Sequence, residues 1–161
     1  MDASKKLSAN LQLVLVDLIE LHVQGKQAHW NVVGRNFRDL HLQIDEVVTV
    51  AREFSDRIAE RMRALHAVPD GRSTTVSAST KLTAFPDGLT DTKDVVDLIG
   101  ARLEQVAATV RGVHDPVDDE DPTTADLLHE ILAAVEQLAW MIEAENKSTH
   151  KKPHKSPTKT A

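Results

Sequence analysis

Four residues of one stretch, His41, Asp45, Asp56 and Glu60, carry the side chains that bind divalent metals, and at about 100° per residue all four share one face of a helix. They form two pairs at i, i+4, His41 with Asp45 and Asp56 with Glu60. At about 1.5 Å per residue the outer members lie roughly 28 Å apart, whereas metal–ligand bonds are about 2 Å long. One chain therefore cannot bring all four to one ion. The pairs are symmetric about Val50 and Ala51. An identical helix crossing antiparallel there would set His41 opposite the partner's Glu60 and Asp45 opposite the partner's Asp56. A two-fold dimer would then complete two equivalent sites from four half-sites. The alternative is a solvated polar stripe paired with Arg52, Arg57 and Arg61.

His29 adds a fifth donor. It stands five residues before Gly34 and His41 seven after it, so in an antiparallel hairpin both imidazoles reach similar heights. A hydrogen-bonded histidine near a helix end is the structural alternative. Imidazole with carboxylates suits Fe(II), Mn(II) or Zn(II), and a carboxylate-rich site favours iron in a redox role because hard anionic oxygens stabilise the ferric product.

Four long amphipathic stretches must position these groups. The first runs from about residue 4 to 33, with Leu7, Leu11, Val14, Leu15, Leu18 and Ile19 three and four apart, and Gly34 sits where a left-handed C-cap would follow. The second starts after Asn36, a candidate N-cap, and reaches about Ala67, stopped by Pro69. Residues 69–91 are rich in Ser, Thr, Gly and Pro and read as a long crossover with room for one short helix. The third covers about 92–114, and the acidic turn Asp115–Asp121 leads to a fourth over about 123–146. No strand run is expected. Two antiparallel pairs joined by a long crossover give an all-α, ferritin-like four-helix bundle.

Composition fits one domain over residues 1–146. The chain has 161 residues, 41% of them hydrophobic, and no cysteine, which excludes thiolate metal sites, disulfides and cysteine nucleophiles. No apolar run is long enough to span a membrane and no signal-peptide core is present, so a soluble, cytoplasmic protein is expected. Net charge is −6, yet residues 147–161 hold five lysines and no acid. That segment reads as a disordered basic tail on an acidic body.

The run Lys26-Gln-Ala-His29-Trp30-Asn-Val-Val-Gly34-Arg-Asn-Phe37-Arg-Asp-Leu40-His41-Leu-Gln-Ile-Asp45-Glu46, followed by Asp56-x-x-x-Glu60-Arg61, resembles the ferroxidase signature of Dps proteins, the DNA-binding proteins from starved cells or mini-ferritins. The likeness extends over about residues 7–146 and includes Thr124-Ala-Asp126-Leu-Leu. The resemblance implies a hollow homododecamer with two-iron ferroxidase centres at its two-fold interfaces. His29, His41 and Asp45 would come from one subunit and Asp56 and Glu60 from its neighbour. Asp56, Glu60 and His29 would hold the tighter iron, with His41 and Asp45 supporting the second. It further implies oxidation of Fe(II) in pairs by hydrogen peroxide, storage of ferric oxide in the cavity, and protection of DNA. The Glu-x-x-His motif of the usual intrasubunit ferritin site is absent. With no tyrosine in the chain, Trp30, next to His29, is the electron-sink candidate, packing being its alternative role.

Two further regions carry expectations. Asp121 and Asp126, near the start of the fourth helix, resemble the aspartates lining an acidic three-fold pore that draws in Fe(II); the alternative is helix capping. In the tail, Lys147, Lys151, Lys152, Lys155 and Lys159 could bind DNA phosphates. About 15 disordered residues span roughly 20 Å, beyond the Debye length of about 8 Å at physiological salt, so they can act outside the acidic body's field. Two other functions compete with iron oxidation: DNA compaction as the main role, and a metal-dependent hydrolase using the same donors to activate water.

Overall fold

The computed structural model describes residues 1–147. Ser4 opens the first helix, its hydroxyl accepting from the Leu7 N–H at 3.0 Å. This helix, α1 (Lys5–Asn31), ends before a two-residue strand, β1 (Val32–Val33), and α2 (Phe37–Ala64) returns alongside it. A short helix, α3 (Ser73–Ser79), lies within the crossover, as the sequence left room for. The crossover closes on β2 (Thr90–Asp91), which leads into α4 (Thr92–Asp118) and α5 (Pro122–Ala144). The pairs α1–α2 and α4–α5 pack together through α1 against α4 and α2 against α5. The four long helices and the crossover are those the periodicity indicates. Leu7, Leu11, Val14, Leu15 and Leu18 of α1 are buried, as are Leu127, Leu128, Ile131, Leu132, Val135, Leu138 and Ile142 of α5.

Several ends differ from the sequence reading, each for a local reason. Strand β1 pairs in parallel with β2, Val32 with Thr90 and Val33 with Asp91, so the backbone of the first turn is used in a short ladder that periodicity could not show. Gly34 (φ +122°) is not a helix cap but a point of close approach. A Cβ there would meet the Asp91 carboxylate and the Thr92 hydroxyl at 2.9 Å. Asn36 occupies the N-cap position of α2 in the left-handed region, φ 57°, and its side chain caps nothing. Helix α2 stops at Ala64 rather than Ala67, because His66 (φ 60°) takes the left-handed place usual for glycine. The Ala67 N–H bonds Met62 O at 2.9 Å and the His66 N–H bonds Arg63 O, which is a Schellman closure. Helix α4 runs one turn beyond His114, through Pro116 to Asp118. Proline removes one helical hydrogen bond, but Val113 and Val117 are buried, and Asp119 still donates to Asp115 O at 3.0 Å.

Buried polar groups hold the crossover to the bundle, and apolar periodicity gave no sign of them. Asp17 of α1 is fully buried and accepts from the Thr80 hydroxyl, the Lys81 N–H and the Thr109 hydroxyl, each at 2.7 Å. Arg102 of α4 donates to Gln24 at 3.1 Å and to Ala84 O at 2.9 Å, while Gln24 donates to Thr83 O at 3.0 Å. Asp17→Ala removes the buried acceptor shared by three part-buried donors. We expect a stability loss of about 3 kcal/mol, read as a melting temperature lower by about 6–12 °C.

Candidate metal centre

The α1–α2 hairpin brings His29 and His41 into register. Gly25, one turn before His29, lets the helices close: a Cβ there would meet Val48 Cγ2 at 2.8 Å. The two imidazoles stack with centroids 3.5 Å apart. Their Nδ1 atoms bond reciprocally across the hairpin, His29 Nδ1 with His41 O at 3.1 Å and His41 Nδ1 with His29 O at 3.0 Å. A carbonyl oxygen only accepts, so each Nδ1 carries a hydrogen and Nε2 is the nitrogen of each ring that can face a metal. Phe37, one turn before His41, packs its ring 5.1 Å from the His41 ring.

Asp45 completes this half. Its Oδ1 lies 3.2 Å from His29 Nδ1 and 2.9 Å from Lys26 Nζ. The Lys26 hydrogen bond, with the charges of His29, Lys26 and His41, outweighs desolvation and holds the carboxyl below its ordinary pKa. The group therefore stays anionic at mildly acidic pH. Lys26 belongs to the quoted run but sequence reasoning gave it no role; its place on α1 one turn before His29 was the available signal. Lys26 competes with any cation for Asp45. We expect Lys26→Met to tighten Fe(II) binding about fivefold, a screened charge effect of about 1 kcal/mol, measured by anaerobic titration.

The other half lies further along α2. Asp56 and Glu60 are exposed, and among the described residues neither takes part in an ion pair. Two of the stripe's three arginines are engaged elsewhere. Arg57 pairs with Glu130 at 2.7 Å and Arg61 with Asp121 at 2.6 Å, both on the α5 side. Asp56 shares an open groove with His22, Arg52 and Glu53. Burial, then the charges of Arg52 and Lys26, push His22 below its ordinary pKa. Among the described residues no three His, Asp or Glu side chains gather where they could hold one ion. Each chain presents two separated sets of donors.

The remaining candidates are placed as follows. Trp30 is 69% exposed, with Lys26 Nζ 5.8 Å from its ring centroid, so its indole is not part of this chain's core. Asp126 projects into solvent, its side chain 85% exposed. Asp121 is buried instead, held by Arg61 and by the Thr124 hydroxyl. Burial raises the pKa of Asp121, but the hydrogen bonds from Thr124 and Arg61 outweigh it and hold the carboxyl below its ordinary value. Its contribution to stability is therefore present at neutral pH and fades as pH falls through that depressed value. Lys147 pairs with Glu143 at 3.3 Å. Lys151, Lys152, Lys155 and Lys159 lie outside the described residues. No described helix is long and apolar enough to cross a membrane.

Known proteins share this architecture. The family model described as Ferritin-like domain matches residues 8–150. DNA protection during starvation protein 2 of Deinococcus radiodurans is 33% identical over 95% of this chain, which spans 63% of that relative's length. DNA protection during starvation protein of Agrobacterium fabrum is 34% identical over 81% of each chain. The solved structure of Dps from Microbacterium arborescens in the high iron form superposes with a TM-score of 0.83 at 32% identity, covering 91% of this chain and 98% of that one. By helix order, crossover and sequence alike, the chain belongs to the ferritin-like family and, within it, to the Dps proteins.

Proposed function

We propose that this protein oxidises Fe(II) at sites shared by two copies of the chain, within a hollow shell of twelve, and stores the ferric product inside. The observation that carries this reading is the division of donors on α2. His29 and His41 are locked together across the hairpin with Asp45 beside His29, and further along α2 Asp56 and Glu60 are exposed and, among the described residues, take part in no ion pair. A second α2 crossing antiparallel near Val50 and Ala51 would join unlike halves at both ends. The exposed apolar side chains Phe37 and Leu42 beside His41 suit burial against such a partner.

Fe(II) is the substrate here. Hydrogen peroxide takes one electron from each of two ferrous ions and two protons from solvent, giving two ferric ions and two waters. Pairing the electrons avoids releasing hydroxyl radical, which is how the reaction would protect DNA. Of the chain's residues, His29 and His41 would donate through Nε2, and the carboxylates would supply anionic oxygens that favour the ferric product. Trp30, exposed next to His29, would take a stray oxidising equivalent. Asp126 at the solvent face of α5 would draw Fe(II) toward an entry pore, while Asp121, tied to Arg61, would set the start of that helix. A cytoplasmic location, and contact with DNA through the lysine tail, complete the proposal; the names of the relatives favour DNA protection.

Anaerobic loading with Fe(II), followed by peroxide, tests the reading. Two ferrous ions should be consumed per peroxide by an assembly with the mass of twelve 17.8 kDa chains. One ferrous ion per peroxide with free radical release, or full activity in a monomer, would contradict it.

A further inference from the structure

Two other histidines meet where α4 passes the first turns of α5, apart from the donors on α1 and α2. His114 Nε2 lies 2.7 Å from His129 Nε2, and the rings are tilted with centroids 4.6 Å apart. Two imidazole nitrogens this close share either a proton or a cation, since two bare lone pairs would repel. On its far side His114 Nδ1 lies 3.0 Å from Asp115 Oδ1. An ionised carboxylate only accepts, so His114 Nδ1 carries the hydrogen, and in the neutral ring the Nε2 lone pair is directed at His129. His129 Nδ1 lies 3.9 Å from Asp126 Oδ1.

We propose that His114 and His129 form a second metal site, which takes a late first-row divalent cation such as Zn(II) through their two Nε2 atoms. Metal–imidazole bonds of about 2.0–2.1 Å set the nitrogens about 2.9 Å apart at a right angle and about 3.3 Å apart at a tetrahedral one. The observed 2.7 Å needs to open by only a few tenths of an ångström. The His129 side chain, 60% exposed, is free to make that adjustment, while that of His114, 22% exposed, is anchored by Asp115. The Asp115 carboxylate bonded to His114 Nδ1 orients that ring, as outer partners of metal-bound histidines do, and Asp126, 3.9 Å from His129 Nδ1, adds negative charge that offsets the cation's. Among the described residues no third donor closes on the pair, so the remaining positions belong to water. A site with two imidazoles and open positions exchanges its ion, which suits transient binding rather than a structural role. Its nitrogen donors favour Zn(II) or Cu(II) more than the oxygen-rich α2 clusters do.

Titration of the assembled protein with Zn(II) alone tests the assignment, in the wild type and in His114→Ala/His129→Ala. One class of Zn(II) site per chain should disappear in the double variant, and His129→Gln should weaken it at least tenfold. Repeating both in a His29→Ala/His41→Ala/Asp56→Ala/Glu60→Ala background removes the histidine donors of the α1–α2 centre together with its exposed carboxylates, so the result does not depend on how the iron site is built. Circular dichroism and assembly mass confirm that these part-exposed positions leave the fold intact. Unchanged Zn(II) stoichiometry and affinity in the double variant would overturn the proposal and leave the pair sharing a proton only.

Discussion

Asp56→Ala/Glu60→Ala should reduce peroxide-driven Fe(II) oxidation at least about 100-fold while leaving helix content and assembly intact. Loss of partners one shell out from a metal already costs about 10–100-fold, and these carboxylates are proposed as direct ligands. Among the described residues neither side chain takes part in an ion pair. Both are exposed, and Arg57 and Arg61, the nearest cations in sequence, are engaged with Glu130 and Asp121. The double variant thus separates chemistry from folding more cleanly than His29→Ala, which also removes a bond to His41 O across the hairpin. Initial rates of ferric absorbance measure the effect. Retention of more than a tenth of the wild-type rate would rule these carboxylates out as ligands.

Removal of residues 147–161 should abolish gel retardation of DNA and leave iron oxidation at its wild-type rate. Without the five lysines of that segment the rest of the chain carries a net charge of −11, which repels phosphate. Each lysine engaged on DNA releases counterions, so binding by the full chain should fall steeply with salt, and twelve tails on the proposed shell would multiply the effect. Undiminished DNA affinity after truncation would move the contact elsewhere on the body. If truncation abolished iron oxidation as well, the two functions would not be separable in the way proposed.

Much of the fold was legible because its long helices bury regular apolar faces. Leu7 to Leu18 and Leu127 to Ile142 stand at helical spacing and are buried as that spacing requires. What escaped notice was decided by contacts distant in sequence. The β1–β2 pairing joins residues 32–33 to 90–91, and the anchoring of the crossover depends on Asp17, Gln24 and Arg102. These are polar residues on helices, and only the folded chain shows what they face. Residues 115–118 read as the start of an acidic turn and are helical, since burial of Val113 and Val117 outweighs the single hydrogen bond that Pro116 removes.

At the site, the meeting of His29 and His41 followed from counting residues about the Gly34 turn, and the structure adds the reciprocal Nδ1 bonds that count could not supply. Lys26 against Asp45, and Asp121 turned inward to Arg61, depend on side-chain direction and were not legible. The pairing of His114 with His129 is of the same kind: 15 residues apart on two helices, the two show no common period in the sequence.

Co-assembly of two inactive variants tests the sharing of sites most directly. One is His29→Ala/His41→Ala and the other Asp56→Ala/Glu60→Ala. Where one chain of each kind meets across the two-fold axis, one site receives both defects and the other neither. Refolding equal amounts together should restore about a quarter of wild-type sites, whereas each variant alone stays inactive. If the mixed shells, verified by mass, oxidise Fe(II) no faster than either parent, the donors do not come from two chains and the account fails.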